Sequence, residues 1–180
     1  MRRDMKILLV MMLLALLCAS LGTAQSKSTA TPLLEAHMLG TGMASPQGRH
    51  LYVRVSRDGQ VEYEDERMKG PRLDYFIRRG RLSSAEIKAL SDQLNEAGVL
   101  TLAKDYQPLD PPIDHAIDLT VSIMRADKPQ TIVIRNFSPT SSKASEAYPA
   151  GLIDLLCKIE RLRKGASFGI TADATQWCKQ

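Results

Sequence analysis

Histidine, aromatic residues and cysteine are scarce in this 180-residue chain, and each scarcity removes a class of function. The three histidines, His37, His50 and His115, form no paired motif of a zinc protease. There is no G-x-S-x-G stretch, so the nucleophile elbow of a serine hydrolase is absent too. Aromatics make up 5% of the residues, too few for abundant stacking platforms for sugars or bases. The formal net charge is only +4, too mild to argue for a nucleic-acid partner.

What the chain does have is a strongly patterned start. Arg2, Arg3 and Lys6 are cationic, with Asp4 the single acid among them. Residues 7–21 carry no charge and are rich in leucine and methionine. Gly22-Thr23-Ala24 then places small residues at the last and third-last positions before Gln25. This is the layout of a cleavable secretory leader over residues 1–24, followed by a polar lead-in over 25–32. The apolar run is shorter than the roughly 20 residues of a spanning helix, so no membrane span is expected once the leader is removed. Cys18 raises the alternative of a lipid anchor, but Leu17 stands where a lipidation signal carries a small residue. The chain is therefore read as periplasmic or secreted.

Removing the leader changes the composition. It takes Cys18 and leaves two cysteines, Cys157 and Cys178. An even count in an oxidising compartment predicts a disulfide, worth about 3 kcal/mol for a loop of this size. It also takes Met1, Met5, Met11 and Met12 of the 8 methionines, and a net +2 of the charge. The remainder has the length of one domain.

Residues 50–57 alternate, with Leu51, Val53 and Val55 against Tyr52, Arg54 and Ser56. Asp58-Gly59 and a second alternating run at 61–64 follow, which predicts a hairpin with a type I′ turn. Residues 65–71 are charged, end in Gly70-Pro71 and read as a loop, and 73–82 as a further strand. Residues 33–43 could form a first strand weakened by Gly40 and Gly42. Ser83 and Glu86 make a capping box for a helix carrying Ile87, Leu90, Leu94 and Ala97 on one face, with Gly98 as its left-handed stop. Residues 103–116 read as a proline-containing loop, and 117–125 with 131–135 as a second hairpin. Pro149 opens a final helix to about residue 164, with Leu152, Leu155, Leu156, Ile159 and Leu162 as its buried stripe. Lys158, Arg161, Arg163 and Lys164 crowd its C-terminal end, where the helix dipole favours cations. The expected fold class is α+β. An antiparallel sheet of two hairpins plus an additional strand carries two amphipathic helices on one face. The domain spans residues 33–165, and the tail 166–180, with Trp177, is tied back by the disulfide.

The first hairpin with Asp58-Gly59, the run Gly80-Arg81-Leu82-Ser83-Ser84-Ala85-Glu86-Ile87, Gly98 and residues 102–106 resemble a set of small exported bacterial proteins of unknown function. The resemblance covers about half of the mature chain. It implies an extracytoplasmic α+β module and carries over no catalytic residue.

Three groups are candidates for chemistry. Asp105, Asp110, Asp114, His115 and Asp118 are the densest set of possible metal ligands, with Asp110, Asp114 and His115 at its centre. Their spacing matches no calcium loop, and proline-containing turns recruit aspartate for other reasons. No cofactor is expected. Arg78, Arg79 and Arg81, with Arg72 nearby, are candidates for binding phosphate or an anionic envelope polymer. The acids Glu62, Glu64, Asp65 and Glu66 precede them and offer a mixed-charge sheet face instead. Gly40-Thr41-Gly42 lacks the third glycine and the flanking elements of a phosphate loop. The sequence thus favours a non-catalytic binding module of the bacterial envelope, its partner an envelope protein or polymer. A small metal-dependent hydrolase using the loop 105–118 and an inhibitor of an exported enzyme stand as alternatives.

Overall fold

The computed structural model describes residues 31–41, 48–107, 116–125, 128–137, 148–165 and 178. The leader, Cys18, most of the lead-in, Gly42, Asp110, Asp114, His115 and Trp177 lie outside the described residues. Seven strands and three helices are described: β1 (Pro32–Thr41), β2 (Gly48–Ser56), β3 (Gln60–Lys69), β4 (Arg72–Arg81), α1 (Ser84–Leu94), α2 (Ala97–Leu100), β5 (Asp105–Tyr106), β6 (Ala116–Arg125), β7 (Lys128–Ile134) and α3 (Ala150–Gly165). The class is α+β. The sheet runs in the order β4-β3-β2-β1-β6-β7-β5, and only the short β5–β7 pairing is parallel. No described helix is long and apolar enough to cross a membrane.

β1 is the centre of this sheet rather than a weak first strand. It pairs antiparallel with β2 on one side and with β6 on the other. Leu34 and Ala36 are fully buried between Val53 and Val55 of β2 and Val121 and Ile123 of β6. Gly40 is tolerated near the strand's end, opposite Gly48.

A register shift interrupts the β1–β2 ladder, where Ala36 faces Val53 but His37 faces Leu51. Tyr52 is the extra residue of a β-bulge, which turns its side chain out of strict alternation. It is therefore buried beside Val53, although the alternation of 50–57 assigns it to the opposite face. Its ring meets Phe137 edge-on, with centroids 6.0 Å apart.

The β2–β3 turn also differs from expectation. Gly59 has φ of 86°, but Asp58 is not in the left-handed region, so the turn is not type I′. Three residues, Arg57, Asp58 and Gly59, separate the strands, and the Gly59 N–H donates to the Ser56 carbonyl (2.9 Å). This is the three-residue hairpin loop that ends in a left-handed glycine. A Cβ on Gly59 would also lie 2.7 Å from Ile87 Cδ1 and 2.8 Å from the Leu82 carbonyl oxygen. The turn therefore packs directly under the start of α1.

Residues 65–69 are strand, not loop. β3 and β4 pair without a break from Gln60 opposite Arg81 to Lys69 opposite Arg72, leaving Gly70-Pro71 as the turn. Cross-strand charge pairs hold this polar extension together. Arg67 donates to Asp74 (3.2 Å) and Arg78 to Asp65 (2.5 Å), and both guanidinium groups lie over the Phe76 ring.

α1 begins as its sequence specifies. The Glu86 N–H donates to Ser83 Oγ, and Glu86 Oε2 accepts from the Ser83 N–H, which completes the capping box. Its end differs: Asn95 is the C-cap, and Gly98 lies inside α2 with negative φ. Gly98 is used for closeness instead. Its backbone lies against Gly151 of α3, where a Cβ on Gly151 would stand 2.5 Å from the Gly98 carbonyl oxygen. α3 buries Leu152, Leu155, Leu156, Ile159 and Leu162 in the core. Cys157 is bonded to Cys178, with Cα atoms 5.4 Å apart.

Candidate functional site

β4 runs directly into the α1 cap, so Arg81, Leu82 and Glu86 are held within one short span of backbone. α3 lies across from them. Lys158, Arg161 and Leu162 are spaced by three and four residues and so project from neighbouring parts of one helix surface. Together with Val61 of β3, these residues line a cleft of about 240 Å³. A second depression of about 300 Å³ adjoins it, lined by Gln93, Ile153, Asp154 and the Cys157–Cys178 bridge. Lys158 and Arg161 belong to both hollows.

Arg54, Arg67, Arg78, Arg79 and Arg135 each have a carboxylate partner. Among the described residues, Arg81, Lys158 and Arg161 have no carboxylate at ion-pair distance, and all three face the same cleft. Among the described residues, the one acid of the lining is Glu86, already committed to the cap. Its bonds from the Ser83 side chain and backbone, with the nearby Lys158 charge, hold its carboxyl below the ordinary value. It stays ionised and leaves the cleft with an excess of two positive charges over this set of residues. Arg163, in the same last turns of α3, points elsewhere. Its guanidinium sits over the Tyr52 ring at 4.9 Å and the Tyr63 ring at 5.8 Å. Lys158 and Arg161 thus face the cleft, and Arg163 the core edge.

A second polar assembly crosses the opposite sheet face. Arg79 Nε donates to Glu62 Oε1 (3.0 Å), Arg54 Nη1 to Glu62 Oε2 (3.3 Å) and Arg54 Nε to Glu35 Oε2 (2.8 Å). His37 Nε2 meets the other oxygen of Glu35. The ladder therefore ties β4, β3, β2 and β1 together, with Glu62 buried at its middle. Burial works to raise the Glu35 pKa. The hydrogen bonds from Arg54 and His37, with their charges, outweigh it and hold the carboxyl below its ordinary value of 4.5. A depressed folded pKa means that the stabilisation is present above the unfolded pKa and is lost as pH falls through the folded one. Glu35→Gln is therefore expected to cost about 1.5 kcal/mol at pH 7. Its difference from the unsubstituted chain should shrink below about pH 4.5, as urea unfolding at pH 7 and pH 3 would show.

These two assemblies sort the arginines singled out from the sequence. Arg78 and Arg79 are engaged by Asp65 and Glu62. Arg81 lines the cleft. His50 is held by Glu64 (3.3 Å) and packs on Tyr75, with ring centroids 4.5 Å apart. Among the candidate metal ligands, Asp105 and Asp118 do meet, but around a guanidinium. Arg135 donates to Asp105 (3.0 Å) and to Asp118 (3.1 Å), and Asp118 also accepts from the Asn136 N–H. The two carboxylates, Asp105 foremost, raise the Arg135 pKa. No group of three or more metal-ligating side chains occurs among the described residues.

The sequence alone does not single out Lys158 and Arg161, because the helix dipole already accounts for cations crowding a helix end. The signal that could have found them is the pairing of a basic helix surface with the free Arg81 at the end of a strand. No protein-family model matches this chain, and a search of curated proteins finds no match.

Proposed function

We propose that this chain is an exported, non-catalytic binding module of the bacterial envelope, and that the cleft between α1 and α3 takes an anionic group of its ligand. The observation that carries this reading is the convergence of Arg81, Lys158 and Arg161 on one concave site with no carboxylate at ion-pair distance among the described residues. Guanidinium and ammonium groups suit phosphate and carboxylate alike, and the two arginines can each offer a two-pronged contact. Among the described residues, the cleft lining holds no histidine and no thiol, and its single carboxylate is bound to the helix cap. Such a lining recognises charge and moves no proton near neutral pH.

Export is supported by the leader pattern of residues 1–24 and by the Cys157–Cys178 bridge, a bond suited to an oxidising compartment. In this reading the mature chain starts at Gln25 and forms one α+β module. Its two longer helices share a sheet face, so that their outer surfaces frame the cleft. The partner is an envelope polymer bearing phosphate or carboxylate groups.

Calorimetric titration of residues 25–180 with inorganic pyrophosphate and with alginate, a carboxylated polysaccharide, tests the reading. Binding of at least one probe is expected, weakening as salt is raised. Combined Arg81→Ala, Lys158→Ala and Arg161→Ala substitutions should lower the affinity by tenfold or more, about 1.4 kcal/mol. Equal binding by the substituted chain would overturn the assignment. Turnover of the bound polymer would overturn the non-catalytic reading.

A further inference from the structure

We propose that β4 is a self-association edge, along which two copies of the chain join antiparallel into one continuous sheet. This inference is independent of the anionic cleft. It begins with the difference between the two ends of the sheet. One end is closed by β5, only two residues long, as edges usually are. The other end is β4, ten residues long and in unbroken register with β3. β4 contains no proline and no bulge, and of its charged side chains Asp74, Arg78 and Arg79 are already engaged by residues of β3, leaving Arg72 and Arg81 at its two ends. No described strand pairs with its outer side.

The hydrogen-bonding phase of that outer side can be derived. The Leu82 N–H donates to the Gly59 carbonyl (2.9 Å), so this opposed pair is of the hydrogen-bonded kind. Alternation along the ladder turns the backbone groups of Gly80, Arg78, Phe76 and Asp74 toward β3. Those of Leu73, Tyr75, Ile77 and Arg79 point outward. A partner strand must therefore place odd-numbered positions opposite odd-numbered positions.

Three central registers satisfy that rule for two identical antiparallel strands. With Tyr75 opposite its own copy, Arg72 would face Arg78, a pairing of like charge. With Ile77 opposite its own copy, Asp74 would face Gly80 and gain no cation. With Tyr75 opposite Ile77, Phe76 meets Phe76 on the two-fold axis, and Asp74 faces Arg78 on both sides of it. Charge and shape are then self-complementary. Each half already carries Arg67 on Asp74 and Asp65 on Arg78, so the new contacts link two ion pairs into a chain of four charges. The other sheet face gathers the exposed apolar residues of this edge. Leu73 is 43% exposed, Ile77 42% and Met68, opposite Leu73, 68%. Pairing in this register brings Tyr75 and Ile77 of both copies side by side there.

Sedimentation velocity on the mature chain is expected to show reversible dimers, with a dissociation constant of about 10 µM or tighter. Tyr75→Pro removes one outward N–H and none of the β3–β4 bonds, so it should weaken the dimer at least tenfold while the chain stays folded. A second variant tests the register without relying on that one. Phe76 opposite its copy is a non-hydrogen-bonded pair, in which Cα atoms approach to about 4.5 Å. Phe76→Cys should therefore crosslink into a covalent dimer under mild oxidation, whereas Arg79→Cys, facing Leu73, should not. A chain that stays monomeric at every concentration, a Tyr75→Pro dimer as tight as the original, or equal crosslinking at positions 76 and 79 would overturn the proposal.

Discussion

Gly151→Ala is expected to destabilise the protein by about 2 kcal/mol, whereas Gly98→Ala should be neutral or slightly stabilising. Both glycines lie in helices, where alanine is intrinsically favoured by about 1 kcal/mol. What separates them is the direction of the missing side chain. A Cβ on Gly151 would lie 2.5 Å from the Gly98 carbonyl oxygen and 2.7 Å from its carbon. Backbone cannot rotate away as a side-chain tip can, so α2 and α3 must move apart, and that cost exceeds the gain in helix propensity. A Cβ on Gly98 meets only the Gly151 Cα at 3.6 Å, an ordinary contact. Denaturant unfolding of the two single variants checks the pair. Equal effects would contradict this account of the α2–α3 contact.

Loss of the Cys157–Cys178 bond should cost more, about 3 kcal/mol for two cysteines separated by 21 positions in the chain. The chain-entropy model assigns that amount to the greater freedom of the unfolded state. The bridge also has a local role. Cys157 and Cys178 form part of the wall of the depression shared by Lys158 and Arg161. The Cys157→Ser, Cys178→Ser double variant is therefore expected to unfold at lower denaturant and to bind anionic probes more weakly even where it remains folded. Comparing its unfolding midpoint and its affinity with those of the disulfide-bonded chain measures both effects. An unchanged midpoint would contradict the structural role of the bridge.

Local chemistry made some of this fold readable in advance. The Ser83–Glu86 capping box depends only on residues three apart, and it forms as expected. The stripe from Leu152 to Leu162 repeats at helical spacing, and each of its five leucines and isoleucines is buried. Features that depend on distant partners were harder to read. Residues 33–43 look weak as a strand because of Gly40 and Gly42, but β1 is held between β2 and β6, the latter far along the chain. Residues 65–69 look like a loop because they are charged. Asp74 and Arg78 answer the charges of Arg67 and Asp65 across the hairpin and support an extended pairing. Tyr52 changes face through a bulge, and periodicity has no term for an inserted residue.

The candidate site divides in the same way. Arg78, Arg79 and Arg81 are neighbours in sequence, but alternation and cross-strand acids give them different partners. Lys158 and Arg161 join Arg81 only once α3 has docked beside the β4–α1 junction. Asp105 and Asp118 look like ligands for a cation, and in the folded chain they do hold one, the guanidinium of Arg135. That arrangement needed the parallel β5–β7 pairing, which brings Asp105 opposite Val133, close to Arg135.

The most direct test of the anionic cleft is an amide NMR titration of the isotope-labelled mature chain with inorganic pyrophosphate. The predicted result is a set of shifts centred on Arg81, Leu82, Glu86, Lys158 and Arg161, absent from the variant lacking the three cations. Shifts centred instead on Asp105, Asp118 and Arg135, or no localised shifts at all, would contradict it.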